Sequence, residues 1–522
     1  MGGEWGQGKG RGKGKVWLVG AGPGDAGLLT LRGREILERA EVVVFDRLVG
    51  SGLFAFFPEG AERVDVGKEG GCHPAPQREI EALLVDRALA GKRVVRLKGG
   101  DPYIFGRGGE EAEALVAAGI PFEEVPGVSS AIAAPAYAGI PLTHRDMTSS
   151  VTIITGHEKP EKSRSAHNWQ ALAASASTLV FVMGMKNLPH IVHNLLQAGM
   201  DPATPSALVH RGTTPRQRSL TAPLERLPAA AAEAGFSNPS IIVVGKVAQL
   251  HGSLGWFEQQ PLFGRSVVVT RAREQASGLA QSLTELGAEV IQCPTIEISP
   301  LADYALLDAA VERLDSYAWL IFTSVNGVRH FWLRLAQAGK DSRAIGSCKV
   351  AAIGPATAEA LCRRGITPDF IPRRYVAEGV LEGLLERESG QIAGKRFLLP
   401  RAARAREVLP EELRKAGALV DVLPAYMTVP AAHQKARVLE RLEAGALDCV
   451  TFGSSSTVEN FLALIPAETL RAHPETRLAA IGPVTADTLK KHGLPCHIMP
   501  ESHTIPDLVE ALKSHFGGRP CP

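Results

Sequence analysis

A chain of 522 residues is too long for one ordinary hydrophobic core, and a length prior divides it into roughly three to four units. Hydrophobic residues make up 45% and charged residues 21%, the balance of a soluble globular protein. The formal net charge of +2 supplies no global basic field, which argues against nucleic acid as a partner. Seven cysteines (Cys72, Cys293, Cys348, Cys362, Cys449, Cys496 and Cys521) stand singly. Their odd number and the lack of a Cys-x-x-Cys pair argue against a disulfide framework and a structural zinc site, leaving a reactive thiol as the alternative. No run reaches the roughly 18 apolar residues of a transmembrane helix, so a cytoplasmic protein that binds no membrane is expected.

Residues 1–14, rich in Gly, Lys and Arg, cannot bury enough surface to offset their ordering entropy and predict a disordered basic tail. Short β-branched runs then alternate with helix-length segments: VWLVG, EVVVFD, RVDVG, VVRLKGG, TIITG, TLVFVMG and SIIVVG. That alternation predicts α/β units with largely parallel sheets, in which ligands bind outside the carboxyl ends of the strands. VWLVG runs into AGPGD (21–25), EVVVF ends in Asp46, RVDVG in Lys68, and VVRLK in Gly99-Gly100-Asp101. One such residue after a strand is ordinarily a solvated loop residue; four strand ends together predict a crevice. Gly20, Gly22 and Gly24 imitate a dinucleotide fingerprint, but residue 25 is Asp where the third glycine belongs. Pro23 also removes a backbone N–H from the loop, and an acid there repels phosphate. A nicotinamide oxidoreductase is disfavoured on those grounds.

The stretches VGAGPGDAGLLTLRG (19–33), VVFDRLV (43–49), RVVRLKGGDPYIFGRGGEE (93–111), VPGVSSAIAAPAYAGIPLTHRD (125–146), VFVMG (180–184) and NPSIIVVG (238–245) resemble the tetrapyrrole methylases, specifically uroporphyrinogen-III C-methyltransferase. The resemblance implies a two-domain α/β unit, divided here at 15–127 and 128–250, with S-adenosyl-L-methionine bound between the domains and S-adenosyl-L-homocysteine released. It assigns cofactor contacts to Pro23, Gly99, Gly100, Asp101, Ile104, Ser129, Ser130, Met183 and Gly212. Ser129-Ser130 stand where relatives often carry Thr-Ala, and Met183 on its own would read as core filler. Asp46 matches the family's proton acceptor and Lys68 its donor. No metal is implied, and His73, His144 and His157 lack ligand spacing. The substrate would be uroporphyrinogen III, methylated twice to precorrin-2. Its carboxylates want Arg and Lys partners, for which Arg47, Arg107 and Arg145 are candidates, Arg145 foremost. A homodimer through this half is a further implication of the resemblance.

The stretch 248–265 lacks either period and predicts a linker centred on 251–261. Beyond it come SVVVT, WLIFTS, KVAAIG, RFLLP, CVTFGS and RLAAIG, and an internal duplication. Residues 264–298 match 394–428 at an offset of 130, which pairs Arg271 with Arg401, Gly287 with Gly417, and Phe322 and Phe331 with Phe452 and Phe461. AAIGPATAEAL (351–361) matches AAIGPVTADTL (479–489) at an offset of 128. So long a period predicts two similar lobes instead of a solenoid. Ser324, Ser454 and the loops carrying Thr357 and Thr485 follow strands and open helices, where hydroxyls and free N–H groups suit carboxylates. Ordinary N-capping is the competing reading, and Ser454 and Thr485 are the stronger binding candidates.

TSVNGV (323–328), LPAYMT (423–428), FGSSSTVENF (452–461) and IGPVTADTLKKHG (481–493) resemble uroporphyrinogen-III synthase. That resemblance implies a two-lobed, internally duplicated α/β unit with parallel sheets over 262–518. One lobe is built from 262–300 and 430–518, the other from 301–429. It implies closure of hydroxymethylbilane with loss of water and ring inversion, helped by Tyr426, whose duplicate position is Ile296. The expected whole is a bifunctional enzyme leading to sirohaem or cobalamin. The competing readings are a methyltransferase with a catalytically silent second half and a two-lobed ligand-binding module.

Overall fold

The computed structural model describes residues 13–58, 60–67, 75–157, 167–175, 177–270, 273–374, 377–404, 407–430 and 435–517. Of the basic tail expected at 1–14, residues 1–12 lie outside this set, while Lys13 and Gly14 are bonded to the fold, Lys13 Nζ to Ala118 O at 3.0 Å and Gly14 N to Ala88 O at 2.7 Å. In the first sheet, β1 (Lys15–Gly20), β2 (Val42–Phe45), β3 (Glu62–Asp65), β4 (Arg93–Lys98) and β5 (Phe122–Val125) lie in the order β3-β2-β4-β1-β5. Every pairing is parallel. Because β4 slots between β1 and β2, the loops leaving β1, β2 and β4 emerge side by side. The three inner strands are largely apolar on both faces, as a sheet covered by helices on both sides requires; Val16, Leu18, Val42, Val44 and Val94 pack one way and Val19, Val43, Val95 and Leu97 the other.

The second sheet departs from the expected parallel arrangement. β6 (Val151–Thr155), β7 (Thr178–Val182), β8 (Pro205–His210), β9 (Arg218–Pro223) and β10 (Ser240–Val244) lie in the order β6-β7-β10-β8-β9. Only β6 and β7 run parallel; β10 is antiparallel to β7 and β8, and β8 to β9. The connection 211–217 is too short for a crossover helix, so β9 must return alongside β8. The connector expected at 251–261 is packed, not extended. Trp256 meets Tyr137 tilted at 5.1 Å and Phe257 meets it edge-on at 4.8 Å, the Trp256 indole donates to Ala136 O at 3.2 Å, and Phe257 meets Phe263 at 5.3 Å.

Contacts divide the described residues into two compact units: the chain through Val267 with Gln281–Val290 and the segment from Val509, and Val268–Ala280 with Ile291–Leu508. The third sheet takes β11 (Ser266–Val269), β12 (Glu289–Gln292), β18 (Cys449–Phe452) and β19 (Arg477–Ala480) in the order β12-β11-β18-β19. The fourth takes β13 (Ile296–Ser299), β14 (Trp319–Phe322), β15 (Lys349–Ala352), β16 (Arg396–Ala402) and β17 (Leu419–Pro430) in the order β13-β17-β16-β14-β15. Shifted by the sequence offsets, β12-β11-β18-β19 falls on β17-β16-β14-β15, strand for strand. Finer features repeat as well. Ile353 N donates to Phe322 O at 3.0 Å, and Ile481 N to Phe452 O at 3.0 Å. Phe322 and Phe331 meet edge-on at 5.5 Å, as do Phe452 and Phe461.

The fourth sheet has one strand more. β13 pairs antiparallel with β17, Ile296 opposite Pro430 and Ser299 opposite Met427, so the chain changes sheets between Gln292 and Ile296. Among the described residues no helix is long and apolar enough to cross a membrane. Phe331 and Phe461 are both fully buried at matching points of two cores. Phe331→Ala and Phe461→Ala are therefore each expected to cost about 3–5 kcal/mol, measured by urea unfolding, with similar losses at the two sites.

Candidate functional site

The loops at the carboxyl edge of the first sheet are drawn together by glycines. A Cβ on Gly127 would lie 2.3 Å from Gly100 O and 2.6 Å from Gly20 Cα, and one on Gly20 would lie 2.4 Å from Gly127 Cα. Only residues without side chains let β1, β4 and β5 end this close. Gly22 and Gly100 exchange backbone hydrogen bonds at 3.2 and 2.7 Å, which fixes Pro23 beside Gly99-Gly100. Asp101 ties the next turn. Its Oδ1 accepts from Tyr103 N at 2.8 Å and Ile104 N at 3.1 Å, and its Oδ2 from Gly127 N at 3.1 Å. That latch holds Ile104 half exposed at the rim.

The second domain closes on the same edge. Ser129 caps the helix Ser130–Tyr137, accepting from Ala131 N, and Gly100 packs against Ser129 and Ser130. Gly212 lies against that helix, where a Cβ would sit 2.3 Å from the Ala134 Cβ. Asp25 N donates to Thr213 Oγ1 at 3.3 Å, and the Tyr137 hydroxyl donates to Asp25 Oδ2 at 2.7 Å. Burial first, and then the Asp25 carboxylate, push the Tyr137 phenol far above its usual pKa, so it stays a donor. Met183 stands at the end of β7 in a left-handed conformation, φ 56°, and half exposed; Arg211 and Thr213 also have positive φ. Backbone of this kind clusters at ligand sites. The structure thus brings Pro23, Gly99, Gly100, Asp101, Ile104, Ser129, Ser130 and Gly212 to one edge, with Met183 on a strand end of the adjoining sheet.

Asp46 ends β2. Its Oδ1 accepts from Leu48 N at 3.0 Å and its Oδ2 lies 3.7 Å from Arg96 Nη1. Lys68 lies outside the described residues. Arg145 and Arg47 are exposed, Arg145 in a tight turn closed by His144 and Thr148, while Arg107 holds Glu110 through two hydrogen bonds. Sequence reasoning missed two features: the Asp25–Tyr137 bond, and a buried group of Arg96, Lys98 and Glu111 beneath Asp46. The second had a visible signal, since Arg96 and Lys98 alternate with Val95 and Leu97 inside a central strand. Among the described residues no cluster of three or more His, Cys, Asp or Glu could hold a metal ion.

In the second half, Tyr426 lies in β17, almost fully buried. Its hydroxyl is 3.0 Å from Ser324 Oγ and its ring stacks on His330 at 5.4 Å. Burial raises its pKa, which the Ser324 hydrogen bond opposes. Ser324 caps the helix Val325–Gln337 and Ser454 caps Ser455–Leu464, the latter with Thr457 in a reciprocal capping box. Thr485 is buried, as is its counterpart Thr357. Beside Ser454 the helices Ser455–Leu464 and Pro483–Lys491 flank a cleft of about 740 Å³ whose border carries two carboxylates, Glu459 and Asp487, as well as Lys490 and Lys491. Burial pushes the Cys293 and Cys348 thiols up to about 11 and about 12, which disfavours a reactive thiolate at either.

Comparison with known proteins places both halves. Residues 15–228 match the family described as Tetrapyrrole (Corrin/Porphyrin) Methylases, and residues 277–510 match Uroporphyrinogen-III synthase HemD. The "Porphyrin biosynthesis protein HemD" of Ruminiclostridium josui is 41% identical over 512 residues, 97% of this chain and 99% of that one. The "Uroporphyrinogen-III C-methyltransferase" of Bacillus subtilis is 40% identical over 72% of this chain and 78% of its own. An "S-adenosyl-L-methionine-dependent uroporphyrinogen III methyltransferase" of Methanosarcina barkeri is 52% identical over 46% of this chain and 95% of its own.

Two glycines separate packing from propensity. Gly127→Ala has backbone within 2.6 Å of the new Cβ, whereas a Cβ on Gly109 meets nothing within 4 Å. Gly127→Ala is expected to destabilise by about 1–3 kcal/mol in chemical unfolding, while Gly109→Ala leaves stability equal or slightly higher.

Proposed function

We propose, from the premise that this chain belongs to the HemD family of porphyrin biosynthesis proteins and joins a tetrapyrrole methylase to a uroporphyrinogen-III synthase, that it converts hydroxymethylbilane to uroporphyrinogen III and methylates that product twice, giving precorrin-2. The observation that carries the first activity is the convergence of the 21–25, 99–104, 127–130 and 211–214 loops on one edge of a parallel sheet. The residues at this edge suit S-adenosyl-L-methionine. Close-packed glycines let backbone dipoles approach a ligand, Ile104 and Met183 offer half-exposed apolar surface to an adenine, and Asp101 supplies negative charge near a sulfonium. When bound, S-adenosyl-L-methionine supplies an electrophilic methyl group.

The remaining chemistry falls to the chain. Its loops hold an electron-rich pyrrole carbon in line with that methyl group, which is an orientation effect. The ring must then shed a proton. Asp46, at the crevice edge, accepts it, and Lys68 acts as the donor. Arg145, exposed on the 144–148 turn, pairs with a substrate carboxylate. In the second half, spontaneous closure of hydroxymethylbilane gives the uninverted ring, so the protein's task is chiefly to impose a folded substrate shape. Ser454 and the amino end of the helix carrying Thr485 offer donors to propionate and acetate groups, and the Tyr426 phenol assists departure of the hydroxyl. The setting we propose is the cytoplasm, with a homodimer formed through the methylase half.

The test supplies hydroxymethylbilane and S-adenosyl-L-methionine to the purified chain and determines product isomer and methyl count. A doubly methylated type III product is expected. An unmethylated product would overturn the first assignment and a type I ring the second. Asp46→Asn is expected to lower the methylation rate about 10²–10⁴-fold while leaving cyclisation intact. Tyr426→Phe is expected to slow cyclisation and spare methylation of supplied uroporphyrinogen III; equal loss of both activities, each measured on its own substrate, in either variant would count against the division of labour.

A further inference from the structure

Beneath Asp46 lies a group of charges that the reaction as described does not use. β4 is the central strand of the first sheet, yet it carries Arg96 and Lys98 with their side chains only 4% and 5% exposed. The helix Gly108–Ala117 lays Glu111, wholly buried, against both. Three donors converge on one oxygen of that carboxylate: Lys98 Nζ at 2.7 Å, Arg96 Nε at 3.2 Å and Gln77 Nε2 at 3.3 Å. The other oxygen, Oε2, is buried without a hydrogen-bond partner. Leaving such an atom unpaired costs on the order of 1–3 kcal/mol, and buried ions stabilise a fold poorly against an apolar core of the same volume. Fold stability alone gives a poor account of the arrangement.

The charge balance gives a better one. Glu111 answers one of two buried cations. The guanidinium of Arg96 also extends to Asp46, with Nη1 at 3.7 Å from Oδ2, and is braced from below by its hydrogen bond to Leu97 O at 3.2 Å. Arg96, Glu111 and Asp46 all act on Lys98, which itself lowers the Glu110 carboxyl, a group bonded first of all to Arg107. Burial and the neighbouring Arg96 push the Lys98 ammonium below the usual lysine range, which its Glu111 partner and Asp46 oppose.

We infer that Arg96, held in place by Glu111, is a positioning residue for Asp46: it fixes the carboxylate of the proton acceptor at the mouth of the crevice. This rests on the function proposed above and deepens it. Leu48 N fixes one Asp46 oxygen and Arg96 the other, so the carboxylate plane is set from two sides. Without the guanidinium one anchor is lost, and a displaced acceptor costs rate without costing cofactor affinity.

The full-length chain supplies the test, with cyclisation of hydroxymethylbilane by its second half as an internal control. Arg96→Met is expected to lower the methylation kcat on the order of 10²-fold, with KM for S-adenosyl-L-methionine and the cyclisation rate unchanged. Arg96→Lys should recover part of the loss. Arg96→Met in an Asp46→Asn background should cost nothing further, because the group it positions is already gone. Multiplicative losses in the double variant, or a KM that rises in step with the fall in rate, would overturn the inference in favour of a structural role. Should Arg96→Met fail to fold, Glu111→Gln keeps the shape and removes the charge. It must show the same kcat-only loss and the same silence behind Asp46→Asn, or the inference fails. Wild-type chain that transfers no methyl would instead overturn the functional reading itself.

Discussion

Three glycines at the ends of three parallel strands set the distance on which the first half depends. Gly20 and Gly127 meet each other and the Gly100 carbonyl backbone to backbone, at separations a Cβ on either could not enter, while Gly100 is held at a φ of 71°. That contact brings the loop after β1 against the loop after β4, and lets the Asp101 carboxylate span from its own turn to Gly127 N. The second domain then registers on the same edge through Ser129, Gly212 and the Asp25–Thr213 bond. Widen the glycine contact by the radius of one methyl group and each of these geometries would have to be rebuilt. The broken dinucleotide fingerprint follows from the same cause. These glycines serve strand-to-strand approach, not a phosphate cradle, so neither a third glycine at position 25 nor an N–H at position 23 is required.

Chemistry in both halves sits where the packing rules are locally broken. A parallel strand buried on both faces should be apolar throughout, and β4 past its exposed first residue Arg93 is, apart from Arg96 and Lys98. A core tyrosine needs a partner for its hydroxyl, and Tyr426 finds Ser324, a residue already committed to capping a helix. The Ser324 side has this arrangement and its duplicate does not, because Ile296 stands where the second phenol would be. Ser454 is left free of a tyrosine and forms a capping box with Thr457 instead.

Much of this was legible in the sequence, and the failures share a cause. Strand cores such as VWLVG and SVVVT announce themselves by β-branched density, and the duplication predicted two similar lobes, which the matching order of the third and fourth sheets bears out. Asp46 and Gly99-Gly100-Asp101 could be named because they lie just past such cores, whereas Ser129, Ser130 and Gly212 rested on the family resemblance. Strands β5, β8, β9, β12, β13 and β17 were not anticipated. FEEV and RSLTAP are short, polar and at sheet edges, where periodicity is weak. Mixed strand direction in the second sheet depends on connection length and not on composition. The aromatic packing of Tyr137, Trp256 and Phe257 was equally hidden, since residues far apart in sequence meet only after the domain folds. The Arg96–Glu111 group was visible as an anomaly, yet its meaning required knowing that Asp46 ends the neighbouring strand.

The pairing of β13 with β17 has a symmetry of its own. Ile298 faces Thr428, its own duplicate, while Glu297 faces Val429 and Ser299 faces Met427. Exchanging the two repeats leaves that register unchanged, which is the self-complementary contact of a twofold axis. A half-length chain bearing one repeat would present the same strand to another copy of itself and could close as a symmetric pair. Joining the copies in one polypeptide freed the two sides to diverge, and a tyrosine could then arise opposite one serine without being imposed on the other.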